Sequence, residues 1–95
     1  MQKTVLDTTE MRELFAAIAK LKTPREAKFF LRDLCTLAEL KEMATRWQIA
    51  KSIKKDIPYR KIVKQTGAST ATITRVANWL HHGMGGYRSM LQRLK

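Results

Sequence analysis

The sequence predicts an all-α protein of six helices. Apolar residues recur every three or four positions through most of the 95 residues, which is the spacing of a helix with one buried face. Glycine and proline are scarce, at four and two residues, so few positions interrupt the pattern. No stretch shows a convincing strand pattern, and no internal repeat is present. We expect the whole chain, residues 1–95, to form a single domain.

Two helices are expected in residues 8–34. The first covers 8–21, where one face collects the apolar residues Met11, Leu14, Phe15, Ile18 and Leu21. The second covers 24–34, because Thr23, Pro24 and Glu26 supply an N-cap, a first-turn proline and a capping-box glutamate. These helices are apolar for so small a protein. They could form a small core of their own, but we favour dimerisation against the same pair of helices in a second chain.

Four helices are expected in the rest of the chain. A central helix covers 36–55, opened by the same capping pattern at Thr36 and Glu39. The segment 58–81 contains two short helices, with Gly67 as a left-handed helix end and Ser69 as the next N-cap. A last helix covers 86–94. The lengths within 58–81 are those of a helix-turn-helix unit.

Charge is distributed unevenly along the chain. The formal net charge is +11. Residues 1–40 hold seven basic and six acidic side chains, whereas residues 41–95 hold twelve basic and only two acidic ones. Such an excess in one half favours a polyanionic partner, because phosphate neutralisation drives affinity for nucleic acid. A solubilising surface would mix both signs.

Several other classes of protein are not expected. Cys35 is a lone cysteine, so no disulfide can form within the chain, and a reducing cytoplasm is the expected location. Neither a signal peptide nor a membrane-length apolar run is present. No metal site is expected, since His81 and His82 are adjacent and point to different sides of a helix. No nucleophile–base pair or phosphate-binding loop is present, so we do not expect an enzyme.

The segment "TGASTATITR", residues 66–75, carries the functional prediction. Eight of its ten residues are small or hydroxylic, although they open a helix. In helix-turn-helix units the N-terminal residues of the second helix point towards the bases in the major groove. A first turn of small residues lets the backbone come close, while hydroxyls and methyl groups contact phosphates or base edges. An ordinary turn between helices would explain the glycine but not the acid-free flanks.

The stretch "RWQIAKSIKKDIPYRKIVKQTGASTATITRVANWL", with "CTLAELKEMAT" before it, resembles the Trp repressor superfamily, and within it the small YerC/YecD-type proteins. The resemblance covers residues 8–95, and "GASTATITR" is its most specific part. It implies an intertwined all-helical homodimer that presents two helix-turn-helix units to a palindromic operator in double-stranded DNA. One position departs from the pattern: Val63 replaces a phosphate-contacting lysine, with Lys64 beside it.

Pattern and resemblance together give a set of candidate DNA-binding residues. The first helix of the unit contributes flanking or backbone contacts, and the turn and second helix contribute the recognition surface. These residues are Tyr59, Arg60, Lys64, Ala68, Ser69, Thr70, Ala71, Thr72, Thr74 and Arg75.

The resemblance also identifies a possible corepressor site. Its two tryptophan-binding arginines correspond to Arg46 and Arg75, and two such guanidinium groups could hold a carboxylate. The glycine and serine that leave room for the ligand indole are, however, replaced by Val76 and Trp79. We therefore hypothesise that the protein fills its own pocket, with Trp79 or Trp47 at the place of the indole. Tryptophan is then not expected as a corepressor, and another small effector remains open; Arg75 would contact phosphate or stack on Trp79.

The expected function is sequence-specific transcription regulation by a dimer on the nucleoid. Two alternatives remain. The first is a sequence-tolerant nucleic-acid-binding protein, nucleoid-like or RNA-binding, in which charge supplies the affinity. The second is a protein-interaction module that uses its first two helices to bind another protein.

Overall fold

The computed structural model describes residues 4–94 and contains helices joined by short turns. After a single 3-10 turn at Val5–Asp7, the α-helices are α1 (Thr9–Ala19), α2 (Pro24–Leu34), α3 (Leu37–Lys54), α4 (Tyr59–Thr66), α5 (Thr70–His82) and α6 (Gly86–Arg93). No strand is present in the described residues. The chain divides after Leu37 into two compact units.

Local hydrogen bonds cap the helices of the first unit. The Thr8 hydroxyl accepts a hydrogen bond from the backbone N–H of Met11 at 3.3 Å, and the Thr23 hydroxyl accepts one from Glu26 at 3.1 Å. Neither α1 nor α2 contains a buried residue. Large apolar side chains of this unit are therefore left exposed: Val5, Leu6, Phe15, Ile18, Phe29, Leu34 and Leu37.

The second unit contains the hydrophobic core. Its fully buried residues come from three helices: Ile49 and Ala50 of α3, Ile62 of α4, and Ile73 and Val76 of α5. Leu80 and Leu91 complete the core from α5 and α6. Because the helix-turn-helix segment contributes residues from both of its helices, burial of apolar surface fixes α4 and α5 on the scaffold of α3 and α6.

The expected helices are all present, with small differences at their ends. The first ends at Ala19 rather than residue 21, because Lys20 already forms the cap. The 3-10 turn was not predicted; Asp7 stabilises it by accepting a hydrogen bond from the Thr4 N–H at 3.2 Å. Pro58 is the N-cap of α4 and not a first-turn residue. The helix α5 continues one residue further than expected, to His82.

The capping pattern at Thr23 also has a different geometry from a simple capping box. The carboxylate of Glu26 accepts a hydrogen bond from the N–H of Lys22 at 2.9 Å, one residue before the cap. In a capping box this bond would come from the N-cap residue itself.

The turn before Pro58 contains Asp56, the only non-glycine residue with positive φ, at 58°, in the described chain. This left-handed residue follows the end of α3 at Lys54, and it was not predicted from the sequence.

Candidate nucleic-acid interface and adjoining cleft

The turn between α4 and α5 is short and closed by local hydrogen bonds. Gly67 adopts φ 74° and ψ 3°, the left-handed conformation that ends α4, and its N–H donates to the carbonyl of Val63 at 2.8 Å. The Thr66 hydroxyl donates to the carbonyl of Ile62 at 2.7 Å and accepts from the N–H of Ala68 at 3.2 Å. The turn therefore satisfies its own backbone groups and fixes where α5 begins.

The N-terminus of α5 has Ser69 as its cap. The Ser69 hydroxyl accepts a hydrogen bond from the N–H of Thr72 at 3.1 Å, and the two side-chain oxygens are also 3.1 Å apart. Ser69, Thr70 and Ala71 are exposed, while Ala68 and Thr72 are half-buried. Since these side chains are short, the backbone at this end of the helix is open to a close approach from outside.

The hydroxyl groups of this surface are not equivalent. A threonine hydroxyl has one hydrogen to donate and two lone pairs to accept with. Thr74 donates its hydrogen to the carbonyl of Thr70 at 2.9 Å, so towards a ligand it can only accept. Ser69 and Thr72 share one hydrogen bond between their side chains. That bond uses one of their two hydroxyl hydrogens. Among the four hydroxyls of this surface, Thr70 alone has no hydrogen-bond partner within residues 4–94, so it keeps both its donor and its acceptor capacity available.

The helix α4 presents cations beside this surface. Tyr59 is 43% exposed, and Arg60, Lys61 and Lys64 are exposed as well. None of the three cations has an ion-pair or hydrogen-bond partner in the described part of the chain. Val63, by contrast, packs against the core. The position at which the resemblance predicts a phosphate-contacting lysine is therefore occupied by a half-buried apolar side chain. The neighbouring Lys64 faces solvent.

The two candidate ligand arginines lie at one cleft. Arg46 of α3 and Arg75 of α5 line a cavity of about 380 Å³ together with Trp79. The sequence did not indicate the other lining residues, which are Lys41, Glu42, Thr45, Ala68 and Thr72. Two of these, Ala68 and Thr72, belong to the candidate DNA-binding set. The cleft therefore adjoins the recognition surface, and it contains three cations and one carboxylate.

The three residues that were expected to fill this cleft have different surroundings in the structure. Val76 is fully buried in the core and is not among the residues that line the remaining cavity. Trp79 is a lining residue and is 45% exposed. Trp47 does not line the cleft; its ring stacks on Tyr87 with a centroid distance of 6.4 Å and an interplanar angle of 12°.

Arg75 makes no stacking contact with Trp79. The cation–π contact found among the described residues is between Arg25 and Phe29, with 5.1 Å from the guanidinium carbon to the ring centroid. The guanidinium of Arg75 is exposed and therefore accessible to an anion from solvent. Phosphate contact by Arg75 stays a prediction.

No helix within residues 4–94 combines the length and apolar character needed to cross a membrane. Within the same residues, no group of three or more His, Cys, Asp or Glu side chains is arranged to hold a metal ion.

A basic helix-turn-helix with a small-residue first turn on its second helix defines the class of helix-turn-helix DNA-binding proteins. Comparison with known proteins supports this class. Residues 9–95 match the sequence model of the family described as Trp repressor protein. The chain is 40% identical over 95 residues to the uncharacterized protein YerC of Bacillus subtilis (strain 168), covering all of this chain and 91% of that protein.

Solved structures agree with these sequence matches. A TrpR-like protein from Eubacterium eligens ATCC 27750 superposes with a TM-score of 0.89 at 40% identity, covering 94% of this chain and 92% of the other. A candidate Trp repressor from Staphylococcus aureus gives a TM-score of 0.90 at 40% identity, covering 99% and 94%.

The chain therefore belongs to the Trp repressor family. The expected all-α fold with six helices is confirmed. The protein is a DNA-binding regulator, since the family is regulatory and not enzymatic.

Proposed function

We propose that this protein is a sequence-specific transcriptional regulator that binds a palindromic operator as a homodimer and does not use tryptophan as corepressor. One observation carries the proposal: the exposed, Ser69-capped N-terminus of α5 offers short side chains, a free donor on Thr70 and unpaired cations on α4. This combination suits major-groove contact at one helix end and phosphate contact beside it.

Each side chain of this surface has a proposed role that follows from its hydrogen bonds. Thr70 donates to a phosphate or to an acceptor on a base edge. Thr74 presents a methyl group and a hydroxyl that can only accept, which suits a thymine methyl or an exocyclic amino group. Arg60, Lys64 and Arg75 contact phosphates, and Tyr59 contacts the backbone or a flanking base.

The exposed apolar side chains of the first unit support the dimer. Phe15, Phe29 and Leu34 are 47%, 51% and 51% exposed, and neither of their helices has a buried residue. Several large apolar side chains exposed on two neighbouring helices are typical of an interaction site. A second copy of the same unit would cover it, and a two-fold pair would present two recognition surfaces to a palindrome.

Independence from tryptophan is supported by the two residues that differ at the ligand position. Val76 fills core space where the repressors have a glycine, and the indole of Trp79 forms a wall of the cleft. An indole ligand would have to share the cleft with that side chain. The remaining cavity and its cations leave room for a smaller, anionic effector.

A binding selection on genomic fragments, performed with the purified protein and no added tryptophan, tests this function. The protein's mass in solution is measured alongside. Recovery of a short palindrome by a dimer would support the proposal. Recovery only after tryptophan is added would contradict the corepressor part and leave the operator part standing.

A sequence-tolerant, nucleoid-like or RNA-binding role is the second candidate. The net charge of residues 41–95, twelve basic against two acidic side chains, favours it, because charge alone gives affinity for any nucleic acid. The two functions differ in their specificity ratio at physiological salt, which is at least about a thousandfold for a specific regulator. Equal retention of all fragments, lost together as salt rises, would establish the second function.

A further inference from the structure

The recognition surface and its adjoining cleft account for only half of the basic residues in the basic part of the chain. Of the twelve in residues 41–95, six lie on α4, on α5 and on the part of α3 that lines this cleft: Lys41, Arg46, Arg60, Lys61, Lys64 and Arg75. The other six are Lys51, Lys54, Lys55, Arg88, Arg93 and Lys95, of which Lys95 lies outside the described residues.

Four of the remaining cations surround one cleft. Lys51 and Lys54 of α3, Lys55 just after it, and Arg93 at the end of α6 line a cavity of about 450 Å³, together with Leu91 and Leu94. No carboxylate lines this cavity, and none of the four cations has an ion-pair partner among residues 4–94. We call these four residues the distal patch.

The distal patch carries more charge than its surroundings neutralise. Lys54 also lines an adjoining cleft that contains Asp56 and Arg88, and the guanidinium of Arg88 donates to the carbonyl of His81 at 3.1 Å. The C-termini of α3, α5 and α6 each contribute about half a negative charge. The distal patch and Arg88 together carry five positive charges. The three helix ends and Asp56 neutralise only part of them, so an excess of about two to three positive charges remains.

The distal patch lies far from the recognition surface along α5. Lys54 shares its second cleft with Leu80 and His81, which follow Thr70 by ten and eleven residues. At the helical rise this separation is about 16 Å. The major groove is only about 8.5 Å deep. If the start of α5 enters the groove, the phosphates at the groove's edge therefore do not reach as far along the helix as the distal patch.

We infer that the distal patch is a second binding site for the phosphate backbone of DNA, occupied by a different duplex from the one read by α5. The protein would then bridge two DNA segments. The inference rests on the proposed function for the placement of the first duplex. Long lysine side chains act as mobile point charges that suit phosphates. The cleft contains no aromatic side chain, and its apolar lining is limited to Leu91 and Leu94, whereas four cations surround it.

A two-duplex capture experiment tests the inference. An operator duplex is immobilised, saturated with protein at about 150 mM salt, washed, and exposed to a labelled duplex of unrelated sequence. Binding to the immobilised duplex tests the proposed function, and retention of the labelled duplex tests bridging. The triple variant Lys51→Gln, Lys54→Gln, Arg93→Gln is compared with Lys20→Gln, Lys22→Gln, Lys28→Gln, which removes the same charge from the first unit.

The wild-type protein and the control variant should retain the labelled duplex, whereas the distal-patch variant should saturate the operator but capture the labelled duplex much more weakly. For capture, the slope of log affinity against log salt should fall by about three in that variant. Equal capture by all three proteins would overturn the inference, because the two helix-turn-helix units of a dimer would then be bridging. Absence of capture by the wild type would overturn it as well. Thermal unfolding of each variant verifies that it is folded.

Discussion

The side-chain oxygen of Ser69 lies 3.1 Å from both the backbone nitrogen and the hydroxyl oxygen of Thr72. One contact caps α5, and the other joins two side chains of the recognition surface. Stability and DNA contact therefore depend on the same residue. A carboxylate at this position would separate the two contributions. Its oxygen can still accept the capping hydrogen bond, but its negative charge is repelled by the phosphates of DNA.

Replacing Ser69 should distinguish these contributions. Ser69→Ala removes the cap and should lower the free energy of unfolding by about 1 kcal/mol, which corresponds to a fall in melting temperature of about 4–8 °C. Ser69→Asp keeps an acceptor at the cap and should preserve stability, but it should weaken DNA binding through repulsion of phosphates. Circular dichroism melting and a binding titration measure both quantities. An unchanged melting temperature for Ser69→Ala would show that the cap contributes nothing.

Thr70 and Arg60 should differ in what they contribute to binding. Thr70→Val removes the one hydroxyl of this surface that has no hydrogen-bond partner within residues 4–94 and should change the preferred sequence, with a loss of about 1–3 kcal/mol at the affected base pair. Arg60→Gln or Lys64→Gln should weaken binding to all sequences about equally and reduce the salt slope by about one. Titration of a panel of single-base operator variants checks this. The same preferred sequence for Thr70→Val and wild type would exclude Thr70 from base recognition.

Thr74→Val should affect binding differently from Thr70→Val. The hydroxyl of Thr74 already donates to the carbonyl of Thr70, so its loss removes an acceptor and keeps a methyl-bearing shape. Discrimination should weaken only at the base pair where Thr74 accepts from the amino group of an adenine or a cytosine. General loss of affinity on all sequences would instead indicate a phosphate contact made by a rearranged hydroxyl.

The variant Gly67→Ala tests how much the left-handed backbone conformation of the turn costs a residue that has a Cβ atom. A Cβ atom at Gly67 would have no atom within 4 Å, but φ is 74°. The left-handed conformation should therefore cost about 1–2 kcal/mol without any clash. Gly67→Asn should cost less, because asparagine tolerates this region better. Chemical denaturation measures the difference, and equal stability of the alanine variant and wild type would mean that the turn adopts another conformation.

Phe29→Asp should disrupt the proposed dimer. Phe29 is half exposed on α2, with the guanidinium of Arg25 over its ring. A carboxylate there would have to be buried if a second chain covers this face, which is costly. The neighbouring Lys28→Asp introduces the same carboxylate at an exposed polar position and serves as the control. Sedimentation should give a lower mass for Phe29→Asp only; a dimer of unchanged affinity would exclude this face from the interface.

Tryptophan should neither bind the wild-type protein nor change its affinity for DNA. Trp79→Ser removes the indole wall of the cleft that holds Arg46 and Arg75, so any gain of tryptophan binding should arise in this variant. Calorimetry with both proteins checks this. Binding by the wild type at the affinity of the variant would show that Trp79 does not obstruct the ligand.

Much of the fold could be predicted because its signals are local. Caps such as Thr23 and Ser69, the left-handed Gly67 and the apolar periodicity all act within about one helical turn, so each is written in a few adjacent residues. The missed features, including the left-handed Asp56 and the 3-10 turn at Val5–Asp7, depend on side-chain geometry that residue type indicates only weakly.

The sequence by itself determined the helices, the recognition segment and the position of the basic charge, since these follow from residue type and spacing. Only the tertiary structure decided which residues meet across helices. Packing buries Val76 in the core while leaving Trp79 on the cleft, although both follow Arg75 on one helix. It also gathers Lys51 and Arg93 at one cavity. The physical reason is that such contacts arise from burying the apolar faces of separate helices together, which no single segment specifies.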